Sequence, residues 1–180
     1  MLNELIGRKV GMTQIFGDDG SAVPVTVIEA GPCVIVGKRS VARDGYNAVN
    51  LGYGETKPKR LSKPDRGQVP EGVTPSRIVR EVRTDEVEEY KIGDEVRASI
   101  FSPGEAVDVV GISKGRGFQG VVKRHGFAGG RETHGSNFHR RPGSIGQSAD
   151  PSRVFRGMKM PGRMGGKQVT IKNLDVVKVD

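Results

Sequence analysis

The amino-acid sequence predicts a mainly β protein, a small antiparallel barrel or sandwich, interrupted by a long, largely irregular basic segment. Three observations carry this. Runs of β-branched residues recur at close spacing, punctuated by Gly and Pro, before residue 113 and again after residue 167. Between them lies a stretch with no sustained period of two or 3.6. That stretch also holds all the excess positive charge. Gly111–Gln168, 58 residues, carries twelve basic and two acidic residues, a net of +10; the other 122 residues carry 17 and 19, a net of −2.

The elements follow in order. Ala22–Gly31 and Cys33–Val41 are rich in β-branched residues and are joined by Gly31-Pro32, a turn signal. Tyr46–Gly54 follows Arg-Asp-Gly, which fits a hairpin turn. Residues 55–75 are rich in Lys, Pro and Gly and read as a surface loop. Arg77–Arg83 alternates with period two. Glu95–Phe101 and Ala106–Ser113 read as two further strands, broken by Ser102-Pro103-Gly104, and Lys167–Asp180 as one or two more. Inside the basic segment only Phe118–Phe127 has the makings of a short helix, with a turn of one at Pro151–Gly157.

The bulk composition bounds the answer. A chain of 180 residues suits one domain, or one domain with a long excursion. Apolar residues make up only 34% and there is no Trp, so the core is modest. The 27 glycines are about twice the average share of roughly 7% and demand turns or extended loops. The single cysteine, Cys33, excludes an internal disulfide, and its setting Pro-Cys-Val-Ile-Val predicts a buried, inert thiol. No run approaches the ~18 apolar residues needed to span a bilayer. The N-terminus lacks the apolar core of a signal peptide. The expectation is a cytoplasmic chain with no membrane partner, cofactor or small-molecule substrate.

Ten uncompensated charges in 58 residues repel one another, and a phosphate backbone would offset that cost. An irregular stretch of ~50 residues is either functional or disordered. Disorder goes with few aromatics, whereas Phe118, Phe127, Phe138 and Phe155 are spaced through this one, together with Met158, Met160 and Met164. The pattern is that of a segment that orders on a nucleic acid. The candidate RNA-binding residues are Lys114, Arg116, Lys123, Arg124, Arg131, His134, His139, Arg140, Arg141, Arg153, Arg156, Lys159, Arg163 and Lys167.

Several motifs resemble sites of chemistry. Gly115–Gly120 matches G-x-G-x-x-G after a strand, the context of a dinucleotide site. No second strand follows, and the residues about 20 positions on are basic where an acid is needed. The glycines fit close backbone approach to phosphates instead, beside Lys114 and Arg116. His125, His134 and His139 lack the Cys or paired carboxylates of a metal site; His134 and His139 fit base stacking or phosphate bonding. Ser144, His139 and Asp150 have no nucleophile elbow around them. No catalytic residue is assigned. His139–Gln147 is the sharpest motif: Arg140 and Arg141, suited to bidentate phosphate binding, precede a Pro-Gly turn and a small tip of Ser144, Ile145, Gly146 and Gln147.

At these residues the chain resembles the universal large-subunit ribosomal protein L-three family in its bacterial form. The matching strings are LIGRKVGMTQIF, PVTVIEAGPCVIV, DGYNAVNLGYG, GISKGRGFQGVVKRHGFAGG, THGSNFHRRPGSIGQ and PGRMGGKQVTIKNLDVV, in family order over nearly the whole chain. The resemblance implies a β-barrel of the translation-protein type, formed by 1–117 and 167–180. It implies an extended rRNA-penetrating loop at 118–166 that reaches toward the peptidyl transferase centre. It further implies direct binding of large-subunit (23S) rRNA, a part in early subunit assembly, neighbouring large-subunit proteins as partners, and methylation of Gln147 in some members. Two departures stand out. His125 occupies a position where bacterial relatives often carry Trp, and Asp180 falls in mid-pattern at a point past which the family usually continues with further strand-forming sequence. The rival readings are a free-standing RNA chaperone and an enzyme acting on RNA.

Overall fold

The computed structural model describes residues 2–180. They divide into two compact units, residues 2–105 with Asp175–Asp180, and Ala106–Leu174.

The first unit opens with a hairpin. Strand β1 (Gly7–Phe16) pairs antiparallel with β2 (Ala22–Ala30), with a bulge between Lys9 and Gly11. At its tip Gly17 donates to the Ser21 carbonyl at 2.9 Å, and the Ser21 hydroxyl donates to Asp19 at 2.6 Å. The side-chain and backbone hydrogen bonds from Ser21 hold the Asp19 carboxyl below its ordinary pKa. β1 was not anticipated from the sequence. Gly7, Arg8, Lys9 and Gly11 dilute its pattern, although Asp19-Gly20 before a β-branched run is a hairpin signal.

A four-stranded sheet follows, in the order β5-β4-β3-β6. β3 (Cys33–Arg39) and β4 (Ala48–Glu55) occupy the centre, β5 (Ser76–Arg83) and β6 (Glu95–Val96) the edges, all antiparallel. The two central strands carry the core because their apolar residues alternate onto one face. Cys33, Ile35, Val49 and Leu51 are fully buried, and Leu2, Val82, Val87 and Val96 complete the cluster. Ile35 faces Leu51 in register; Val36, at a bulge between Ile35 and Gly37, is buried outside that cluster, beside Gly52. The Cys33 thiol sits 3.4 Å from the Ile6 carbonyl, and burial raises its pKa.

The connection between β3 and β4 is a single turn of helix, α1 (Val41–Asp44). Asp44 holds it: Arg39 and Arg43 each donate to its carboxylate at 2.9 Å, and the Ser40 amide does so at 3.3 Å. Burial alone would raise the Asp44 pKa, but the bonds from Arg43, Ser40 and Arg39 outweigh it and the group is held low.

The second unit pairs β7 (Ala106–Ile112) with β10 (Gln168–Asp175, its last residue in the first unit). The residues between them include β8 (Phe118–Gln119), α3 (Val121–His125) and β9 (Gly162–Arg163).

The mainly β class is as the sequence predicts. Closure is not: the described residues form four separate sheets of two, two, four and two strands, and no closed barrel. Glu95–Phe101 is a correction. Only Glu95 and Val96 pair, and a 3-10 turn at Ala98–Ile100 takes up the rest. Residues 55–75 are more ordered than a plain loop. They hold a 3-10 turn at Pro58–Arg60 and the short helix α2 (Lys63–Gly67), whose N-cap Ser62 accepts from the Asp65 amide.

Two outcomes are expected. Leu51→Ala should lower unfolding stability by about 2–5 kcal/mol, whereas exposed Val10→Ala should stay within about 0.5 kcal/mol; urea unfolding followed by circular dichroism measures both. Cys33 should resist alkylation in the folded chain even where a free thiol reacts, and react on denaturation. Because its folded pKa is raised, its stabilising contribution is full below the unfolded thiol's pKa and is lost as pH rises through the folded value. Equal alkylation rates in folded and denatured chain would contradict the burial.

Candidate nucleic-acid interface

The basic segment leaves β7 and returns to β10, and its two legs are fastened where they meet. The Ser113 amide donates to the Lys167 carbonyl at 2.9 Å and the Gly166 amide to the Ser113 carbonyl at 3.0 Å. The Ser113 hydroxyl adds a bond to the Lys167 carbonyl at 3.2 Å. Farther out, Arg116 N donates to Met164 O, and Met164 N to Gly117 O, each at 2.9 Å. The antiparallel pairs Phe118↔Arg163 and Gln119↔Gly162 continue the ladder. Gly165 makes this close approach possible. Its φ is +74°, and a Cβ there would collide with the Lys114 carbonyl oxygen.

Gly115–Gly120 therefore runs along a paired leg. The only helix after it, α3, has five residues and no side-chain cap. The strand pairings described are antiparallel, so the parallel βαβ context of a dinucleotide fold is not what surrounds the glycines.

Beyond α3 the backbone is organised by local contacts. The Gly130 amide donates to the His139 carbonyl at 2.6 Å, Arg141 N to Phe138 O at 3.0 Å, and Phe138 N to the Ser136 hydroxyl at 3.2 Å. His134 and His139 hold left-handed backbone, with φ of +58° and +42°. At the tip the Ser144 hydroxyl donates to the Gly146 carbonyl at 3.1 Å.

Of the fourteen candidate residues, thirteen are exposed, and only Arg124 is partly covered. The thirteen are not drawn into one pocket but spread along both legs and the intervening turns. Among the described residues, the one contact between an acidic and a basic side chain inside Gly111–Gln168 joins His139 Nδ1 to Glu132 at 3.2 Å, an ion pair when the imidazole is protonated. The lysines and arginines thus keep their charge facing outward. Arg153 lies 5.2 Å from the Phe155 ring centroid, a cation–π contact. Phe118, Phe138 and Phe155 are themselves exposed, as are Ile145 and Met158. Exposed rings among arginines offer stacking surfaces to bases. Gln147 is exposed near the tip.

Arg124 and His125 behave differently. The Arg124 guanidinium and the His125 Nε2 both meet the Met160 carbonyl, at 2.5 and 3.0 Å. No sequence pattern signals this contact, because a backbone carbonyl carries no residue signature. Among the described residues no group of three or more His, Cys, Asp or Glu is placed to hold a metal, and no helix is long and apolar enough to cross a membrane.

A family profile described as Ribosomal protein L3 matches residues 77–180. The Large ribosomal subunit protein uL3 of Carboxydothermus hydrogenoformans is 56% identical over 98% of this chain and 84% of its own length. Its counterpart in Heliobacterium modesticaldum is 55% identical with the same coverage, and that of Herpetosiphon aurantiacus is 55% identical over the whole chain and 85% of its own length. Six strings in family order, a mainly β fold and these matches agree: the chain belongs to the ribosomal protein L3 family.

Proposed function

We propose that this chain is an anchor and a probe for large-subunit rRNA. As an L3 family member it is a structural constituent of the large ribosomal subunit and not an enzyme. In the finer reading, 1–117 with 167–180 form the anchor, of the barrel type that the family implies. Residues 118–166 form the probe, which enters the rRNA toward the peptidyl transferase centre and joins it early in assembly. Neighbouring large-subunit proteins would meet the anchor's remaining surface.

The observation that carries the reading is the exposed charge: thirteen basic or histidine side chains face solvent, of which only His139 meets an acid, on a segment whose legs are already hydrogen-bonded together. Each phosphate neutralised releases counterions, so affinity must fall with salt. The exposed aromatic rings add stacking that salt does not screen. Order in the legs lowers the entropy that binding has to overcome.

The test is binding to large-subunit rRNA fragments across a salt series. If about eight of the twelve Lys and Arg contact phosphate, log K should fall with log salt at a slope of about −6 to −7. Replacing Phe118–Gly166 by a short linker should collapse that slope while leaving a folded β unit. Full affinity and slope after deletion would place the binding surface on the anchor and end the reading. Arg140→Ala with Arg141→Ala should weaken binding and flatten the slope by roughly 1.5, with the melting of the β unit unchanged. Co-sedimentation with large subunits separates this role from that of a free RNA chaperone, which would stay in the supernatant.

A further inference from the structure

We propose that Arg124 and His125 are positioning residues: they form a clasp on the Met160 carbonyl that presets the shape of the basic segment, and Arg124 is not one of its phosphate contacts. The proposal rests on the rRNA-binding reading above and assigns a different job to one cation within it.

The geometry is specific. α3 presents two successive side chains to one acceptor on the opposite leg, 36 and 35 residues away in sequence. A carbonyl oxygen has two lone pairs, and here two side chains approach it. His125 donates its bond when Nε2 carries the proton. The seat beneath the guanidinium is Gly162. A Cβ at that position would lie 2.6 Å from Arg124 Nη1 and 2.9 Å from its Cζ, so the planar group rests on bare backbone. Gly162 also pairs with Gln119 in the leg ladder, which joins the clasp to the paired strands. Val121, at the start of α3, is 1% exposed and fastens the helix. The His125 ring sits 6.1 Å from that of Phe127.

The charge inventory points the same way. Thirteen candidates are exposed; Arg124 alone is partly buried, with a hydrogen bond of its guanidinium inside the protein. A guanidinium held this way orders the segment without adding to counterion release. Its loss should weaken rRNA binding through ordering cost, while the salt slope stays the same.

The experiment uses the full chain and a large-subunit rRNA fragment, with three variants. Arg124→Gln removes the charge. Arg124→Lys keeps the charge and loses the planar fork. Gly162→Ala removes no charge and sets a methyl where the guanidinium lies. Gly162 has no left-handed φ and the colliding atoms end a flexible side chain, so this variant folds and opens the clasp. All three should bind roughly tenfold more weakly at fixed salt, with slopes equal to that of the parent. Amide exchange at Gln119 and Arg163 should quicken in the free chain. Arg124→Gln combined with Gly162→Ala should be no worse than either alone.

A phosphate role predicts otherwise. Arg124→Gln would flatten the slope by about 0.7–0.9, and Gly162→Ala would leave binding untouched; either result overturns the clasp. Arg140→Ala with Arg141→Ala serves as the reference. If that pair also leaves the slope intact, the rRNA-binding reading fails, and amide exchange in the free chain still decides for or against the clasp.

Discussion

The segment that carries the charge depends on one backbone closure. Ser113 and Lys167 stand 54 positions apart: the Ser113 amide donates to the Lys167 carbonyl, the Gly166 amide donates to the Ser113 carbonyl, and the Ser113 hydroxyl reinforces the closure. Closing a long stretch costs little more than closing a short one, since each doubling of length adds only about 0.6 kcal/mol. A few good hydrogen bonds at the ends can therefore hold a very long excursion. Once the ends are joined, the ladder through Met164 and the Gln119–Gly162 pair follows with small further loss of freedom. Like charges strung along both legs oppose this pairing. The closure is made mainly by backbone groups, with glycine at the closest approach and the uncharged Ser113 hydroxyl as its side-chain contribution.

The distribution of acids explains the rest of the design. Nineteen of the 21 acidic residues lie outside Gly111–Gln168. In the first unit they are used locally: Asp44 ties Arg39 and Arg43 to α1, and Glu95 pairs with Arg97 at 2.9 Å. Exposed pairs of this kind are worth at most about 1 kcal/mol, so the stability of that unit rests on the buried Cys33, Ile35, Val49 and Leu51. The basic segment has no large core, and among the described residues its one acid–base contact joins His139 to Glu132. Its order comes from main-chain hydrogen bonds and tight turns, which leave the side chains free to meet a partner.

How much of this was legible in the sequence depended on which atoms do the work. β2 to β5, β7 and β10 were readable because their β-branched residues repeat and Gly or Pro marks their ends. β1 was not, since glycines and charges break its pattern, and its partner β2 is what makes it a strand. Val96 lies in the core and in a strand, as its sequence predicts, but Arg97–Phe101 curls into a 3-10 turn that propensity alone would not choose. Among the candidate site residues, exposure follows from the charge density. The bond from Arg124 to Met160 does not, because its acceptor is a peptide group 36 residues away and every residue has one.

The turn that presents Arg140 and Arg141 shows why order and exposure can coexist here. His134 and His139 both hold left-handed backbone, a conformation that is several-fold enriched for His yet still costs of order 1–3 kcal/mol each. Such backbone persists only where its surroundings fix it. The His139 carbonyl is held by the Gly130 amide, its imidazole faces Glu132, and Phe138 lies against Gly130 so closely that a Cβ there would come within 2.9 Å of it. Among the described residues no hydrogen bond or ion pair takes up the guanidinium of Arg140 or Arg141, and both residues are exposed. A flexible chain could carry the same charge, but it would have to lose its freedom on every encounter. This turn has met part of that cost in folding, within the one acid–histidine pair that the segment contains.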